Sequence, residues 1–373
     1  MAVDGRKGAS LRTLEGIFLQ GIRLQQNGVL KKLWNLQTIS RYAITSWLKR
    51  RKIKKSENLL VPVAMAFSPT MRCNLSCVGC YARDYPRDGE LPLETVDHML
   101  GSAERMGVFL FVITGGEPLL RAGILGVFQR HKRLLFLLIT NGTLMDEKTA
   151  GMIARAENIM TVVSLEGTKE QTDVRRGNGV YEQVSRAMVH LQSAGAAFGF
   201  SAMVTRDNFE TLSSDEFIAE MVDRGCALGF YTEYIPIGSA ARWELVLEDE
   251  ERERFRERIL EIRRSKPIMV AHLPDDEYGP DGKCMGVMGG CVHINAQGYV
   301  EPCPFTHLAS DNIRGKGLDE VFRSQFLAQI RSSDAARRRG RLGCALFENQ
   351  EIVLDIAGNT GAKPTDVEIT PLR

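Results

Sequence analysis

The chain has 373 residues, of which 44% are hydrophobic and 25% are charged, and these fractions are typical of a globular protein. Collagen-like, coiled-coil and globally disordered proteins are therefore excluded. The longest apolar runs, such as residues 134–139, are far shorter than the roughly twenty residues that a membrane-spanning helix needs. The N-terminus leads into no apolar stretch typical of a secretory signal, so we expect a cytoplasmic, reducing location with free cysteines.

The net charge of +2 conceals an uneven distribution. Residues 1–60 contain 13 Lys and Arg against 3 Asp and Glu, whereas the remaining residues contain 35 against 43. The body of the protein therefore carries no basic stripe of the kind that follows a nucleic acid backbone, and we expect no nucleic-acid partner.

Residues 1–58 are predicted to form a basic amphipathic helical segment. Apolar residues recur at helical spacing over 11–48, and Asn27-Gly28 interrupts the pattern. Trp34 and Trp47 lie on the apolar side, and clustered cations follow at Lys49, Arg50, Arg51, Lys52, Lys54 and Lys55. This combination is typical of a peripheral membrane anchor, so residues 11–55 are expected to contact the inner face of the membrane. The alternative is a helix that packs across the body of the protein with solvated charges.

Residues 59–245 are predicted to form an α/β domain, a partial (βα)6 TIM-like barrel. Six β-rich runs alternate with helical segments, a pattern that indicates a parallel sheet wound in one direction. The runs span residues 63–68, 108–114, 134–140, 159–165, 198–205 and 226–235. In such a sheet the reactive groups lie in the loops that follow the strands.

Three further segments complete the predicted organisation. A charged linking helix is expected within 246–269, and a small domain rich in Gly and Cys within 270–350. Residues 351–373 are predicted to be a tail. The small domain has little hydrophobic periodicity, which is expected when something other than apolar packing organises it.

The loop after the first strand contains Cys73, Cys77 and Cys80 with C-x3-C-x2-C spacing. Closely spaced thiolates in a reducing compartment are typical ligands of an iron–sulfur cluster or a zinc ion. Three ligands would leave one iron of a cubane open to bind a substrate or cofactor. A zinc ion with a distant fourth ligand is the alternative. Cys226 lies within a strand run and is expected to be a buried apolar residue.

This motif, in the loop after the first strand of a partial barrel, resembles the radical S-adenosylmethionine (SAM) superfamily. The resemblance implies a 4Fe–4S cluster on Cys73, Cys77 and Cys80, whose open iron chelates the amino and carboxylate groups of SAM. The sequence departs from the family pattern at Gly79, because the position before the third cysteine is often aromatic.

The resemblance also implies a set of SAM-binding residues at the ends of the later strands. Gly115-Gly116-Glu117-Pro118 ends the second strand and would receive the methionyl amine. The other positions would surround the ribose and carboxylate, although each is also a plausible turn or strand cap. The predicted cofactor-binding residues are Gly115, Gly116, Glu117, Asn141, Ser164, Glu166, Arg176, Ser201 and Ile235.

A second cysteine group comprises Cys284, Cys291, Cys303 and Cys344. Cys284 to Cys303, with the intervening Gly298, resembles the opening of the SPASM and Twitch extensions, which hold auxiliary 4Fe–4S clusters. Four cysteines, where a full SPASM domain has seven, imply one auxiliary cluster, closer to Twitch. A four-cysteine zinc site is the alternative. His293 and His307 could substitute as ligands.

The resemblance implies an oxidoreductase or transferase that reductively cleaves SAM. The resulting 5′-deoxyadenosyl radical would abstract hydrogen from an unactivated C–H bond, and a flavodoxin or ferredoxin would donate the electron. The catalytic residues are not assigned. We expect a membrane-associated lipid or isoprenoid-like substrate. The alternative is a peptide maturase that makes carbon–carbon, thioether or epimerised products, although residues 1–60 are short and helical for a peptide-recognition domain. A non-enzymatic iron–sulfur electron carrier is disfavoured, since it needs no SAM-type loops.

Overall fold

A nine-stranded sheet organises the protein, and the computed structural model describes residues 36–366. Its strands are β1 (Ala64–Phe67), β2 (Leu110–Ile113), β3 (Leu135–Thr140), β4 (Ile159–Ser164), β5 (Phe198–Val204), β6 (Leu228–Glu233), β7 (Met269–Leu273), β8 (His293–Ile294) and β9 (Val300–Glu301). The strand order is β7-β6-β5-β4-β3-β2-β1-β8-β9. All neighbouring pairs are parallel except β8 and β9.

Helices follow most of the strands and cover the outer face of the curled sheet. They are α1 (Leu36–Glu57), α2 (Leu93–Met106), α3 (Ile124–Arg130), α4 (Glu147–Ala156), α5 (Lys169–Arg176), α6 (Val180–Ser193), α7 (Phe209–Leu212), α8 (Asp215–Asp223), α9 (Asp249–Ser265), α10 (Leu318–Val321), α11 (Gln325–Ser332), α12 (Asp334–Arg337), α13 (Ala345–Glu348) and α14 (Gln350–Thr360).

Alternate residues of each strand point to opposite faces of the sheet, as pleating requires. In β3, Phe136 and Leu138 join the large core beneath the helices, whereas Leu137 belongs to a second apolar cluster with Val162 and Phe230. Both faces of the parallel sheet are therefore buried, which explains the continuous apolar runs in its strands. The architecture confirms the predicted partial TIM-like barrel.

The sheet extends beyond the six predicted strands. β7 adds a seventh parallel strand beside β6, and α9 packs into the main core through Phe255, Ile259 and Ile262. The predicted linking helix is therefore a barrel helix that covers this edge. Its helical apolar spacing is difficult to recognise because charged residues occupy most of its other positions.

Residues beyond β7 return to the opposite edge of the sheet. β8 pairs with β1, so that Ala66 lies opposite His293. Ser68, His293 and Glu301 form a fully buried hydrogen-bonded chain across this junction. The segment predicted to be a small domain thus contributes strands to both edges of the barrel sheet.

The tail predicted for residues 351–373 is wrong for residues 351–366, which pack against the rest of the protein. α14 packs on α11, and its Val353 and Ala357 are buried in the same cluster as Phe326 and Ile330. Beyond it, β11 (Lys363–Pro364) pairs with β10 (Leu308–Ala309). Two buried residues one helical turn apart are too weak a periodic signal in a segment this short. Residues 367–373 lie outside the described residues.

α1 packs against α2, while the predicted helical residues 11–35 lie outside the described residues. Lys49 Nζ donates to the carbonyl of Glu104 at 2.8 Å, and Arg50 donates to the carbonyl of Gly107. These carbonyls belong to the C-terminal end of α2, where cations are favourable. Lys49 and Arg50, two of the six clustered cations, therefore bind the end of α2. Within residues 36–366, no helix combines the length and the hydropathy needed to cross a bilayer.

Candidate functional site

Both cysteine groups line one cavity at the carboxyl ends of the barrel strands. Cys73, Cys77 and Cys80 lie in the loop that follows β1, and their thiols are free. The second group enters the same cavity from the segments after β7, and its thiols are free as well: Cys284, Cys291, Cys303 and Cys344. The predicted metal-binding residues are therefore brought together around one space.

The cysteine loop is held by the glycine pair after β2. Gly116 N donates to the carbonyl of Thr70 at 2.9 Å, and Glu117 N donates to that of Arg72 at 2.8 Å. A Cβ atom on Gly116 would lie 2.1 Å from the Arg72 carbonyl oxygen, and one on Gly115 would lie 2.5 Å from that of Thr70. Glycine is required here because two backbones are in direct contact.

Glu117 lies behind the cavity wall. Its fully buried carboxylate accepts hydrogen bonds from Leu119 N at 3.0 Å, Thr140 Oγ1 at 2.8 Å and Asn141 N at 2.7 Å. Burial raises the pKa of Glu117, and these hydrogen bonds oppose the rise. The carboxylate thus joins the loops after β2 and β3, while Gly115 and Gly116 face the cavity.

Asn141 connects the end of β3 to the cysteine loop. Its Nδ2 donates to Asn74 Oδ1 at 2.9 Å and lies 3.8 Å from Cys73 Sγ, while its Oδ1 accepts from Thr143 N at 2.9 Å. Asn141 also lines the cavity. Asn141 therefore stabilises the cysteine loop, and its predicted contact with a cofactor stays a prediction.

Glu166 is 1% exposed and forms ion pairs with two arginines. Its Oε1 lies 2.5 Å from Arg175 Nη1 and 2.7 Å from Arg176 Nε, and its Oε2 accepts from Met203 N at 3.0 Å. Burial alone would raise the pKa of Glu166, but the two guanidinium groups hold it below its ordinary value. Arg175 and Arg176 line the cavity, whereas Glu166 orients them from behind.

Ser164 and Ser201 lie opposite each other on β4 and β5, and both line the cavity. Ile235 does not line it. This residue belongs to an apolar cluster with Cys344 and Phe347, beside the second cysteine group. Among the nine predicted cofactor residues, Glu117, Glu166 and Ile235 are thus the three that the structure places behind the cavity surface.

The absence of an aromatic residue at Gly79 is explained by a contact with another part of the chain. Gly79 has a φ of 66°, and a Cβ atom there would lie 2.6 Å from Cε2 of Tyr234. The ring of Tyr234, which follows β6, therefore occupies the space beside the cysteine loop. This contact is long-range, so the sequence pattern of the loop does not reveal it.

Burial dominates the electrostatics of the second cysteine group. Burial raises the pKa of Cys284, Cys291 and Cys303 to about 12, and it raises the pKa of Cys344 well above its ordinary value. Thiolates become favourable in such surroundings when a metal supplies positive charge. Within residues 36–366, no three Cys, His, Asp or Glu side chains have the spacing of ligands to a single metal ion.

The two histidines that could substitute as ligands have hydrogen-bond partners on both of their ring nitrogens. His293 bonds Ser68 Oγ at 2.8 Å through Nε2 and Glu301 through Nδ1. His307 bonds Asp366 at 2.6 Å through Nδ1 and the carbonyl of Pro304 at 3.1 Å through Nε2. Cys226 is buried in the main core, as predicted.

Arg175 and Glu277 line the cavity and were not predicted. Burial, reinforced by the neighbouring Asp276, raises the pKa of Glu277 to about 7. Glu277 follows β7, which the sequence analysis did not recognise as a barrel strand, and residues after barrel strands face the site. If the sequence pattern had predicted β7 as a barrel strand, Glu277 would have been predicted to face the site. Arg175 adjoins the predicted Arg176, and only the fold shows that both face the cavity.

Comparison with known proteins identifies this architecture. Residues 67–217 match the family model of the Radical SAM superfamily. An AdoMet-dependent heme synthase of Oleidesulfovibrio alaskensis is 27% identical over 300 residues, which cover 72% of this chain and 77% of the relative. A mycofactocin maturase, MftC of Mycobacterium ulcerans, is 34% identical over 203 residues, which cover 52% of this chain and 54% of the relative.

The crystal structure of Streptococcus suis SuiB bound to S-adenosylmethionine is similar in fold. It has a TM-score of 0.64 and 19% sequence identity, covering 76% of this chain and 71% of SuiB. The cysteine loop, the parallel half-barrel and the family match thus agree, and the chain contains a radical SAM domain.

Gly116→Ala is expected to lower the iron content of the reconstituted protein severalfold, because the added methyl group displaces the cysteine loop. Gly126→Ala is the matched control, since a Cβ atom there meets nothing within 4 Å in helix α3. Iron analysis after anaerobic reconstitution measures both variants. Equal iron content in the two would show that the contact between the loops does not shape the site.

Proposed function

We propose that the enzyme binds a 4Fe–4S cluster and SAM beside Cys73, Cys77 and Cys80 and modifies a substrate held in the same cavity. When bound, the cluster supplies the electron that splits SAM into methionine and a 5′-deoxyadenosyl radical, which abstracts hydrogen from the substrate. The observation that carries this proposal is the single cavity, lined by both cysteine groups and by six predicted SAM residues.

The residues of the chain bind and orient the cofactor and the substrate, and they exclude water from the cavity. Gly115 and Gly116 offer a surface without side chains, against which a cofactor can lie closely. Asn141, Ser164 and Ser201 supply hydrogen-bonding groups on neighbouring strands. Apolar side chains, including Val112, Ile139 and Met203, complete the wall and limit the access of water to a reactive intermediate.

The second cysteine group is proposed to hold an auxiliary 4Fe–4S cluster. Its four free thiols line the same cavity, Cys284 and Cys344 being buried and Cys291 and Cys303 half-buried, and cysteine thiolates are the usual ligands of such a cluster. An auxiliary cluster here would lie beside the substrate, where it could ligate the substrate or accept an electron from it. A flavodoxin or ferredoxin is the proposed donor to the first cluster.

The cavity favours an apolar substrate that carries carboxylate groups. Aliphatic and aromatic residues are the largest group in its lining, and its cations are Arg83, Arg87, Arg175 and Arg176. A tetrapyrrole has this chemistry, and the relatives that align over most of this chain are named heme synthases. We therefore propose a tetrapyrrole substrate in preference to the predicted lipid.

A peptide substrate is the second candidate. It is favoured by the 34% identity to the mycofactocin maturase, although that alignment spans about half of each chain. The carboxylates of a peptide could bind the same arginines.

Membrane contact is proposed for the exposed face of α1. Ile44, Trp47 and Leu48 are each about half exposed, and the guanidinium of Arg51 lies 5.1 Å from the centre of the Trp47 ring. The neighbouring Lys52, Lys54 and Lys55 are exposed and would attract anionic headgroups. This surface would bring the enzyme to the membrane without determining its substrate.

SAM cleavage is the direct test of the proposed reaction. Reconstituted protein with a strong reductant is expected to form 5′-deoxyadenosine, and Cys73→Ala is expected to reduce the yield to background. Cys226→Ala should retain the wild-type yield, because this cysteine lies outside both groups. Cys303→Ala should still cleave SAM but should no longer couple cleavage to substrate modification. Equal yields from Cys73→Ala and wild type would contradict the proposal.

The same assay distinguishes the substrate classes. Fe-coproporphyrin III and a panel of short peptides are supplied in turn, and the products are analysed by mass spectrometry. A tetrapyrrole substrate predicts that the porphyrin increases the 5′-deoxyadenosine yield and changes in mass, while the peptides do neither. The reverse result would establish the peptide candidate.

For α1, full-length protein is expected to co-sediment with anionic phospholipid vesicles and not with neutral ones. Replacing both Trp47 and Leu48 with Ser should weaken this binding severalfold. Val189→Ser on α6 is the matched control, because Val189 is 58% exposed on another surface. Unchanged binding of the double variant, or none by the wild type, would rule out this contact.

A further inference from the structure

Arg175 is attached to the cysteine loop through its main chain. Its carbonyl accepts a hydrogen bond of 2.9 Å from the backbone N–H of Val78, which lies between Cys77 and Cys80. The side chain of Arg175 is 11% exposed and lines the cavity. The main chain of Arg175 is thus fixed to the loop that carries the thiols, and Glu166 holds its guanidinium.

The charges around Arg175 leave a buried positive excess. Arg175 and Arg176 share Glu166, so the three side chains together carry one positive charge. In addition, the Nε atom of Arg175 is buried without a hydrogen-bond partner. A buried N–H group without a partner destabilises a protein unless another group satisfies it, and here the excess charge favours an anion.

The thiols of Cys77 and Cys80 line the same cavity as the Arg175 side chain. Burial lowers the pKa of Arg175, but Glu166 and then the thiolates of Cys77 and Cys80 raise it above its ordinary value. The influence is reciprocal, because a charge that is stabilised by a thiolate also stabilises that thiolate and any anionic centre bound to it.

We propose that Arg175 sets the reduction potential of the cluster on Cys73, Cys77 and Cys80, which makes it a positioning residue for the electron-transfer step. The inference rests on the proposed function. Reduction adds one negative charge to the cluster, and a fixed guanidinium favours that more negative form. Glu166 orients the guanidinium and limits its effect, because it neutralises one of the two positive charges.

Two substitutions should shift the potential in opposite directions. Arg175→Gln removes a positive charge and is expected to lower the equilibrium constant for reduction about tenfold, a shift of about 59 mV to more negative potential for a one-electron couple. Glu166→Gln removes a negative charge and should shift the potential to a more positive value. Arg175→Lys retains the charge and should remain near the wild type.

The measurement is a potentiometric titration of the reconstituted full chain without SAM, monitored by electron paramagnetic resonance. The relevant signal is the one that changes when SAM is added afterwards. Iron content is determined for every variant. If Arg175→Gln does not bind iron, Glu166→Gln decides the question, because a positive shift supports the proposal and an unchanged potential overturns it.

The possible outcomes distinguish an effect of Arg175 on the reduction potential from its other possible roles. Weaker SAM binding by Arg175→Gln with an unchanged potential would make Arg175 a SAM ligand only and would overturn the inference. Loss of iron in both variants would indicate a purely structural role and would also overturn it. A wild-type chain without a SAM-responsive signal would overturn the proposed function, and this inference with it.

Discussion

The close contact between the glycine pair at 115–116 and the backbone of the cysteine loop determines the geometry of the site. The two loops follow adjacent parallel strands, β1 and β2, and two main-chain hydrogen bonds join them at 2.8 and 2.9 Å. No side chain fits between them, so Gly115 and Gly116 present main chain to the cavity beside the cysteines. Glu117, Thr140 and Asn141 extend this arrangement to the end of β3, and a further pair of polar groups follows on β4 and β5.

The second constraint is the return of the chain to the sheet. β7 extends one edge, and β8 pairs with β1 at the other, so the segments that carry Cys284, Cys291, Cys303 and Cys344 are anchored beside the cavity. The buried chain of Ser68, His293 and Glu301 stabilises this junction. An auxiliary centre is therefore proposed as part of the barrel, and its position relative to the first cysteine group depends on main-chain pairing.

Local sequence patterns are sufficient to predict a feature when a single segment of the chain determines its structure. The six strand runs, the cysteine loop and the Gly115-Gly116 turn were recognisable because apolar runs, thiol spacing and glycine each have a local signal. The sequence could not show that Glu117 and Glu166 lie behind the cavity surface, since their orientation depends on partners such as Thr140 and Arg175 that lie elsewhere in the chain.

Features that depend on tertiary contacts were missed for the same reason. β7 was obscured because the charged helix α9 precedes it, and Glu277 was missed as a consequence. Tyr234 fills the space beside Gly79, although the two residues are far apart in sequence. α14 contributes only two buried residues, Val353 and Ala357, so its packing on α11 was not predictable from periodicity.

The proposed function depends on two iron–sulfur sites that share one cavity. The most direct test is the iron and acid-labile sulfide content of the anaerobically reconstituted chain, beside a variant in which Cys73, Cys77 and Cys80 are all Ala. The proposed function predicts about eight irons per chain in the wild type and about four in the variant. About four irons in the wild type and almost none in the variant would contradict it, because the second cysteine group would then hold no iron–sulfur cluster.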